Sequence, residues 1–237
     1  MKIIVVKDYQ AMSDLGAEII ANTIKTNPSC TLGLATGSSP IGTYQNLVKA
    51  FQNKEISFKD VKTYNLDEYC GISRKHPQSY YFMHDNLFNH VDIQEENVHI
   101  PMISNASLEE DCKSYNDMLN NTTIDLQLLG IGGNGHIGFN EPGTPFNQET
   151  FITDKTRKDN QRFFNSLDEV PTHAITMGIS NIMKAKKILM LISGANKADT
   201  VVKLLSGEVT TDFPASILNE HPDVTVIIDQ DAYSKVK

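Results

Sequence analysis

The sequence predicts an α/β protein, built as a three-layer, open and mainly parallel sheet with helices on both faces, Rossmann-like and in a single domain over residues 1–237. Short β-branched runs alternate along the chain with longer segments in which apolar residues recur at helical spacing. This alternation implies βαβ crossovers, which join parallel strands. In addition, 237 residues of which 40% are hydrophobic suffice for one large core.

The individual elements follow from the apolar pattern. Short apolar runs predict strands over Lys2–Lys7, Thr31–Ala35, Val61–Leu66, Asn97–Ile100, Ile124–Leu129, Thr172–Met177, Ile188–Ile192 and Val224–Ile228. The last three follow Ile124–Leu129 along the chain, and we expect them in the same mainly parallel sheet. Helical spacing predicts helices over Met12–Ile24, Ile41–Phe51, Gln78–His90, Ser107–Leu119, Ile179–Lys186 and Lys197–Leu205. Ser107 and Glu110 have the spacing of a capping box at the start of the fourth helix.

The segment from Pro142 to Pro171 breaks this pattern. It has few apolar periods and is rich in Thr, Asn, Asp, Lys and Arg. A polar stretch of this length in a compact α/β chain is often a functional loop or lid. The alternative is a surface excursion that contains some strand.

Charge and cysteine usage exclude several classes of protein. With 21 basic against 29 acidic residues, the net charge of −8 disfavours a nucleic-acid binder. No apolar run approaches the roughly 20 residues of a membrane span, and the N-terminus lacks the pattern of a signal peptide. The three cysteines are far apart, which supports neither a disulfide framework nor a zinc site. We therefore expect a cytoplasmic protein.

The turn after the second predicted strand, Ala35–Pro40, is a candidate phosphate site. Ligands of open parallel sheets bind beyond the carboxyl ends of the strands. Gly37 allows a close backbone approach, Ser38 and Ser39 supply hydroxyls, and Pro40 suits the first helical position after a Ser39 N-cap. The following helix would offer amide groups and the positive end of its dipole. The alternative is simply a well-capped helix.

Two further strand ends carry candidate acid–base groups. Asp67 and Glu68 follow the third strand and could form a solvated turn; if Asp67 instead faces the crevice, partial burial would raise its pKa and make it a usable general base. His136 lies in the glycine-rich run Gly130–Pro142, and Glu141 is near enough in sequence to hold its ring. This run contains a formal G-x-G-x-x-G pattern. However, it lies past mid-chain and Gly138 disfavours a helix after it, whereas a dinucleotide site has the pattern in the first βα turn, directly before a helix. Dinucleotide binding is therefore disfavoured.

Two basic residues complete the candidate site. Arg162 follows the polar segment, and Lys197 follows the strand Ile188–Ile192. Lys197 therefore occupies another strand-to-helix turn on the same edge of the sheet, where it could meet a phosphate bound near Ser38. If both residues were isolated surface cations, they would not indicate a binding site.

These segments together resemble the glucosamine/galactosamine-6-phosphate isomerase family, and in particular its glucosamine-6-phosphate deaminases. The resemblance covers nearly the whole chain in order, and its most specific parts are Asn65–Tyr69 and Gly135–Pro142. Related 6-phosphogluconolactonases share the fold and a Gly-His, but usually have Asp-Glu-Arg where this chain has Asp-Glu-Tyr.

The resemblance implies conversion of glucosamine 6-phosphate and water to fructose 6-phosphate and ammonia, without a metal or redox cofactor. It implies that Asp67 moves a proton between C2 and C1, and that His136, oriented by Glu141, opens the sugar ring. It assigns the phosphate to the Gly37–Ser39 turn, Arg162 and Lys197. We expect a monomer or a small homo-oligomer.

Two departures from the family pattern matter. Asn134 stands where many members have Asp; it could accept a hydrogen bond from the His136 ring but could not neutralise an imidazolium. The loop Thr144–Thr156 is shorter than in allosteric members and lacks their Arg-x-Lys pair, which predicts hyperbolic kinetics.

Two alternative functions are a 6-phosphogluconolactonase and a non-catalytic sugar-phosphate sensor. A sensor that only binds its ligand would need no general base.

Overall fold

A computed structural model describes residues 1–73, 75–79, 81–101, 107–154 and 164–236. Its strands are β1 (Lys2–Val6), β2 (Thr31–Leu34), β3 (Lys62–Asn65), β4 (Asp67–Tyr69), β5 (Val98–His99), β6 (Leu126–Leu129), β7 (Phe151–Thr153), β8 (Ala174–Thr176), β9 (Ile188–Ile192) and β10 (Val224–Asp229). Its α-helices are α1 (Tyr9–Thr26), α2 (Ile41–Gln52), α3 (Tyr81–Asn86), α4 (Leu108–Asn120), α5 (Ile179–Met183), α6 (Ala198–Leu205) and α7 (Gln230–Tyr233).

Seven strands form a parallel sheet in the order β1-β10-β9-β6-β2-β3-β5. Alternate residues of its central strands enter two separate cores. Leu189 and Leu191 pack with α1, α2 and α3, whereas Ile188, Met190 and Ile192 pack with α4, α5, α6 and α7. The fold class predicted from the sequence is therefore confirmed: a mainly parallel sheet between two layers of helices.

The predicted strand Thr172–Met177 does not join this sheet, which corrects the expectation. Within that range the strand is β8, which is shorter than predicted. It lies between β4 and β7 in a separate antiparallel sheet of three strands. Ala174 and Ile175 are fully buried, as in a central parallel strand. A continuous apolar run signals burial on both faces but not the partner strand, so the pattern could not distinguish the two sheets.

Several boundaries also differ from the prediction. The helix predicted over Gln78–His90 is the shorter α3, followed by a 3₁₀ turn at Phe88–His90. Ser107 accepts a hydrogen bond from the Glu110 amide (3.2 Å), as a capping residue should, but its hydroxyl also contacts Glu109. No helix within the described ranges is long and apolar enough to cross a membrane.

The polar segment predicted from Pro142 to Pro171 contains regular structure. It holds β7 and a 3₁₀ turn at Leu167–Glu169. Residues 155–163 of this segment, including Arg162, lie outside the described residues. The described part therefore agrees with the alternative, an excursion that contains some strand, while a functional loop or lid stays a prediction.

Candidate active site

A cavity of about 250 Å³ opens at the carboxyl edge of the parallel sheet. Parallel strands all end at the same edge, so residues that follow different strands meet there. The cavity is lined by residues that follow β2, β3, β6 and β9, among them Gly37, Ser38, Ser39, Asp67, His136 and Lys197. Six of the predicted site residues therefore share one cavity, although they are spread over 160 positions of the chain.

Asp67 enters the cavity from the start of β4. Its backbone is fixed by antiparallel pairing with Thr176 of β8, so the small second sheet holds the carboxylate in place. Burial raises the pKa of Asp67 to about 7, and the nearby His136 opposes that rise. A carboxylate with this pKa can both accept and release a proton near neutral pH.

His136 is held by the glycine-rich loop after β6. The Gly132 amide donates to the His136 carbonyl (2.9 Å), and the Gly135 amide donates to the Gly132 carbonyl (3.0 Å). Gly132 also lies against the imidazole: a Cβ there would stand 2.4 Å from ring atoms Cε1 and Nε2. Gly135, with φ +90°, packs against the ring of Phe213. The loop therefore needs Gly132 and Gly135, because the imidazole and Phe213 occupy the space that their side chains would fill.

Glu141 and Asn134 form a network around the imidazole. A Glu141 carboxylate oxygen lies 2.8 Å from Nδ1 of His136, as predicted from the sequence spacing. The Asn134 side chain donates to the other Glu141 oxygen (2.6 Å) and accepts from the His136 backbone amide (3.2 Å). Only one orientation of the Asn134 amide satisfies both bonds.

The structure shows how Asn134 acts on the histidine. Its side chain is bonded to the carboxylate that lies against the imidazole ring and to the His136 backbone amide. An aspartate in this conformation would place a second carboxylate against Glu141, whereas the asparagine amide offers a donor. The sequence spacing alone could not separate these contacts, since both partners of the histidine lie within five residues of it.

The candidate phosphate turn runs from Ala35 to Pro40 between β2 and α2. Gly37 has φ +90°, a conformation that favours glycine, and nothing lies within 4 Å of a Cβ placed there. The predicted N-cap at Ser39 is wrong: Pro40 is the capping residue, and it has no side-chain hydrogen bond. Ser38 and Ser39 line the cavity, and neither is the capping residue of α2.

Lys197 reaches the same cavity from the turn after β9. Its ammonium group donates to the Ile131 carbonyl (2.8 Å), which ties this turn to the glycine-rich loop. Thr200, in the helix α6 that follows, also bonds to this loop by donating to the Gly133 carbonyl (2.9 Å). Arg162 lies outside the described residues, so its predicted place beside the phosphate stays a prediction.

The sequence prediction did not assign several residues that line the cavity. Tyr69 and Phe139 pack edge to face at 5.5 Å, next to the candidate acid–base groups. Gln78 and Asn196 also line the cavity; Asn196 lies in the same strand-to-helix turn as Lys197, whereas no motif marked Gln78. In contrast, Tyr69 and Phe139 lie within the two motifs that carry the resemblance, so motif membership was an available signal.

Fold and cavity together define an α/β protein with a carboxylate, an imidazole and a candidate phosphate turn at the carboxyl edge of a parallel sheet. A family model described as glucosamine-6-phosphate isomerases/6-phosphogluconolactonase matches residues 8–227. The chain belongs to this family.

Similar proteins agree with this assignment. The chain is 51% identical to a glucosamine-6-phosphate deaminase of Thermoanaerobacter pseudethanolicus, covering 100% of this chain and 95% of that one. It is 50% identical to a glucosamine-6-phosphate deaminase of Clostridium novyi over 100% of both chains. The solved structure of a monomeric glucosamine-6-phosphate deaminase, 46% identical, superposes with a TM-score of 0.96 over 99% of both chains. A 6-phosphogluconolactonase of Trypanosoma brucei, 20% identical with a TM-score of 0.80, shares the fold.

Proposed function

We propose that the chain is a glucosamine-6-phosphate deaminase that converts glucosamine 6-phosphate and water to fructose 6-phosphate and ammonia. The observation that carries this proposal is the shared cavity of Asp67 and His136, with Glu141 against the histidine ring. Binding a sugar phosphate requires no general base, so this arrangement favours catalysis over a sensor. Relatives at about half identity over the full length carry the same activity in their names.

The phosphate anchors the substrate in the proposed reaction. The turn Gly37–Ser39 supplies backbone amides and hydroxyls, and Lys197 supplies positive charge. Arg162 is proposed as a second cation for the same group. Anchoring the remote phosphate orients the reacting carbons, which makes the proton transfers effectively intramolecular.

His136 is proposed to open the ring. It takes the proton of the anomeric hydroxyl and delivers one to the ring oxygen, so the C1–O bond to the ring breaks and an aldehyde forms at C1. Glu141, 2.8 Å from Nδ1, fixes the tautomer and stabilises the imidazolium formed in between. Asn134 holds Glu141 in that position.

Asp67 is proposed to move the proton that exchanges the oxidation states of C1 and C2. The aldehyde acidifies the C2–H bond, the carboxylate removes that proton, and an enolamine forms. The proton returns to C1, which leaves an imine at C2. Water then adds to C2, the C2–N bond breaks, and ammonia leaves with the proton it needs, giving fructose 6-phosphate. Each well-placed proton transfer contributes about 10²–10⁴-fold to the rate.

The direct test is an assay of the purified chain with glucosamine 6-phosphate. We expect ammonia and fructose 6-phosphate in equal amounts, and no turnover of glucosamine without its phosphate. Asp67→Asn tests the base, and Asp60→Asn, an exposed carboxylate on another part of the surface, is the matched control. Hydrolysis of 6-phosphogluconolactone without ammonia release from the amino sugar would contradict the proposal and favour the lactonase.

We also propose that the chain works as a monomer or a small homo-oligomer. A structural relative of 46% identity is described as monomeric. Light scattering coupled to size-exclusion chromatography measures the mass directly, and an assembly of six or more copies would contradict this expectation.

A further inference from the structure

Helix α2 begins at the candidate phosphate turn without the usual side-chain cap. Its capping residue is Pro40, which has no side-chain hydrogen bond to the helix. The amides of a first helical turn have no partners within the helix and need others. The only one of these amides with a described side-chain partner is that of Gly42, and the partner comes from a different helix.

This partner is the hydroxyl of Tyr9, the first residue of α1. It accepts from the Gly42 amide (3.0 Å) and donates to the Ser38 carbonyl (3.1 Å). A tyrosine hydroxyl has one hydrogen to donate and can also accept, so both functions are used at once. Tyr9 thus joins the start of α2 to the middle of the candidate phosphate turn.

The Tyr9 contact with Ser38 determines how the turn presents its amides. In a trans peptide the carbonyl and the following amide point in opposite directions, and the described residues contain no cis peptide. With the Ser38 carbonyl held by Tyr9, the Ser39 amide points away from Tyr9. Tyr44 acts similarly at the other end of the turn, because its buried hydroxyl donates to the Ala35 carbonyl (2.6 Å).

The packing of α1 on α2 explains why Tyr9 reaches the turn. A Cβ on Gly42 would lie 2.4 Å from the Ser13 hydroxyl and 3.2 Å from a Tyr9 ring carbon, so the glycine allows the close approach. Asp8 caps α1 by accepting from the Ala11 amide (2.9 Å), which fixes the backbone of the adjacent Tyr9. Tyr9 itself is not among the residues that line the cavity.

We propose that Tyr9 is a positioning residue for phosphate binding, acting through the Ser38–Gly42 backbone rather than by touching the substrate. This inference rests on the proposed function of the Gly37–Ser39 turn. By holding a carbonyl away from the bound dianion, Tyr9 keeps the neighbouring amide ready to donate to it. Its role is therefore to organise the anion site before the substrate arrives.

The test is Tyr9→Phe, which removes the hydroxyl and keeps the ring. One intramolecular hydrogen bond is worth about three- to tenfold in affinity. We expect KM for glucosamine 6-phosphate and Ki for inorganic phosphate to rise together by about that factor, with kcat within about twofold. The matched control is Tyr233→Phe. The Tyr233 hydroxyl forms no hydrogen bond with described residues, so this variant should leave KM and Ki unchanged.

Other results would separate the possible failures. Unchanged KM and Ki in Tyr9→Phe would overturn the inference. A lower kcat with unchanged KM would also overturn it, because that pattern indicates loss of folded enzyme rather than of anion affinity. If inorganic phosphate does not inhibit the unaltered chain, the phosphate assignment under the proposed function fails, and this inference fails with it.

Discussion

Replacing Gly132 with alanine should disable His136 while leaving the fold intact. The added Cβ would lie 2.4 Å from Cε1 and Nε2 of the imidazole, whereas ordinary contacts begin near 3.4 Å. The ring must therefore move by about 1 Å. The φ angle of Gly132 is not in the left-handed region, so the backbone itself accepts alanine.

The expected cost follows from this displacement. A shift of about 1 Å in a catalytic group costs about 10²-fold in rate, which corresponds to about 2.7 kcal/mol of transition-state stabilisation. Movement of the ring also disturbs the 2.8 Å contact between Nδ1 and Glu141. We expect kcat/KM for ammonia release to fall about 100-fold in Gly132→Ala, with a melting temperature close to that of the unaltered chain.

The adjacent Gly133 provides a matched control. Its φ is also outside the left-handed region, and no atom lies within 4 Å of a Cβ placed there. Gly133→Ala should therefore keep nearly full activity. If Gly132→Ala is as active as Gly133→Ala, then His136 does not act from the position seen here and the reasoning is refuted.

Three further predictions concern pH, stability and regulation. Because burial raises the pKa of Asp67 to about 7 and the base acts in its ionised form, kcat/KM should fall about tenfold per pH unit below about 7; an acid limb near pH 4 would contradict this. Asp229 is buried and accepts from Ser193, Gly194 and Ala232, so Asp229→Asn should lower the free energy of unfolding by about 1–3 kcal/mol in urea denaturation. Velocity should depend hyperbolically on substrate; a sigmoidal curve abolished by N-acetylglucosamine 6-phosphate would show that an allosteric site exists.

Much of the fold could be predicted because apolar periodicity directly reports burial. The strand Ile188–Ile192 and the sheet it belongs to follow from an unbroken apolar run, and its bounds agree with the structure. The second sheet could not be predicted, since β8 shows the same burial but pairs with β4 across a long sequence separation. Periodicity carries no information about which strands pair.

For the candidate site, the sequence predicted which residues meet and the contact of Glu141 with the His136 ring, but not the remaining hydrogen bonds. Residues at the ends of parallel strands share one edge, which brings Asp67, His136 and Lys197 together. The bonds of Asn134 to Glu141 and to the His136 backbone depend on the local loop geometry, which the sequence does not reveal. The hydrogen bond from the Gly42 amide to the Tyr9 hydroxyl was also missed, because the side chain that accepts from the first turn of α2 belongs to another helix.

The Asp67→Asn variant tests the proposed role of Asp67 as the base most directly. Asparagine keeps the size of the side chain and removes its ability to accept the C2 proton, while the phosphate turn lies on other strands. We predict a fall in kcat of at least about 10³-fold, with the Kd for inorganic phosphate within twofold of the unaltered chain. Ammonia release at a comparable rate in this variant would show that another group removes the proton and would contradict the account.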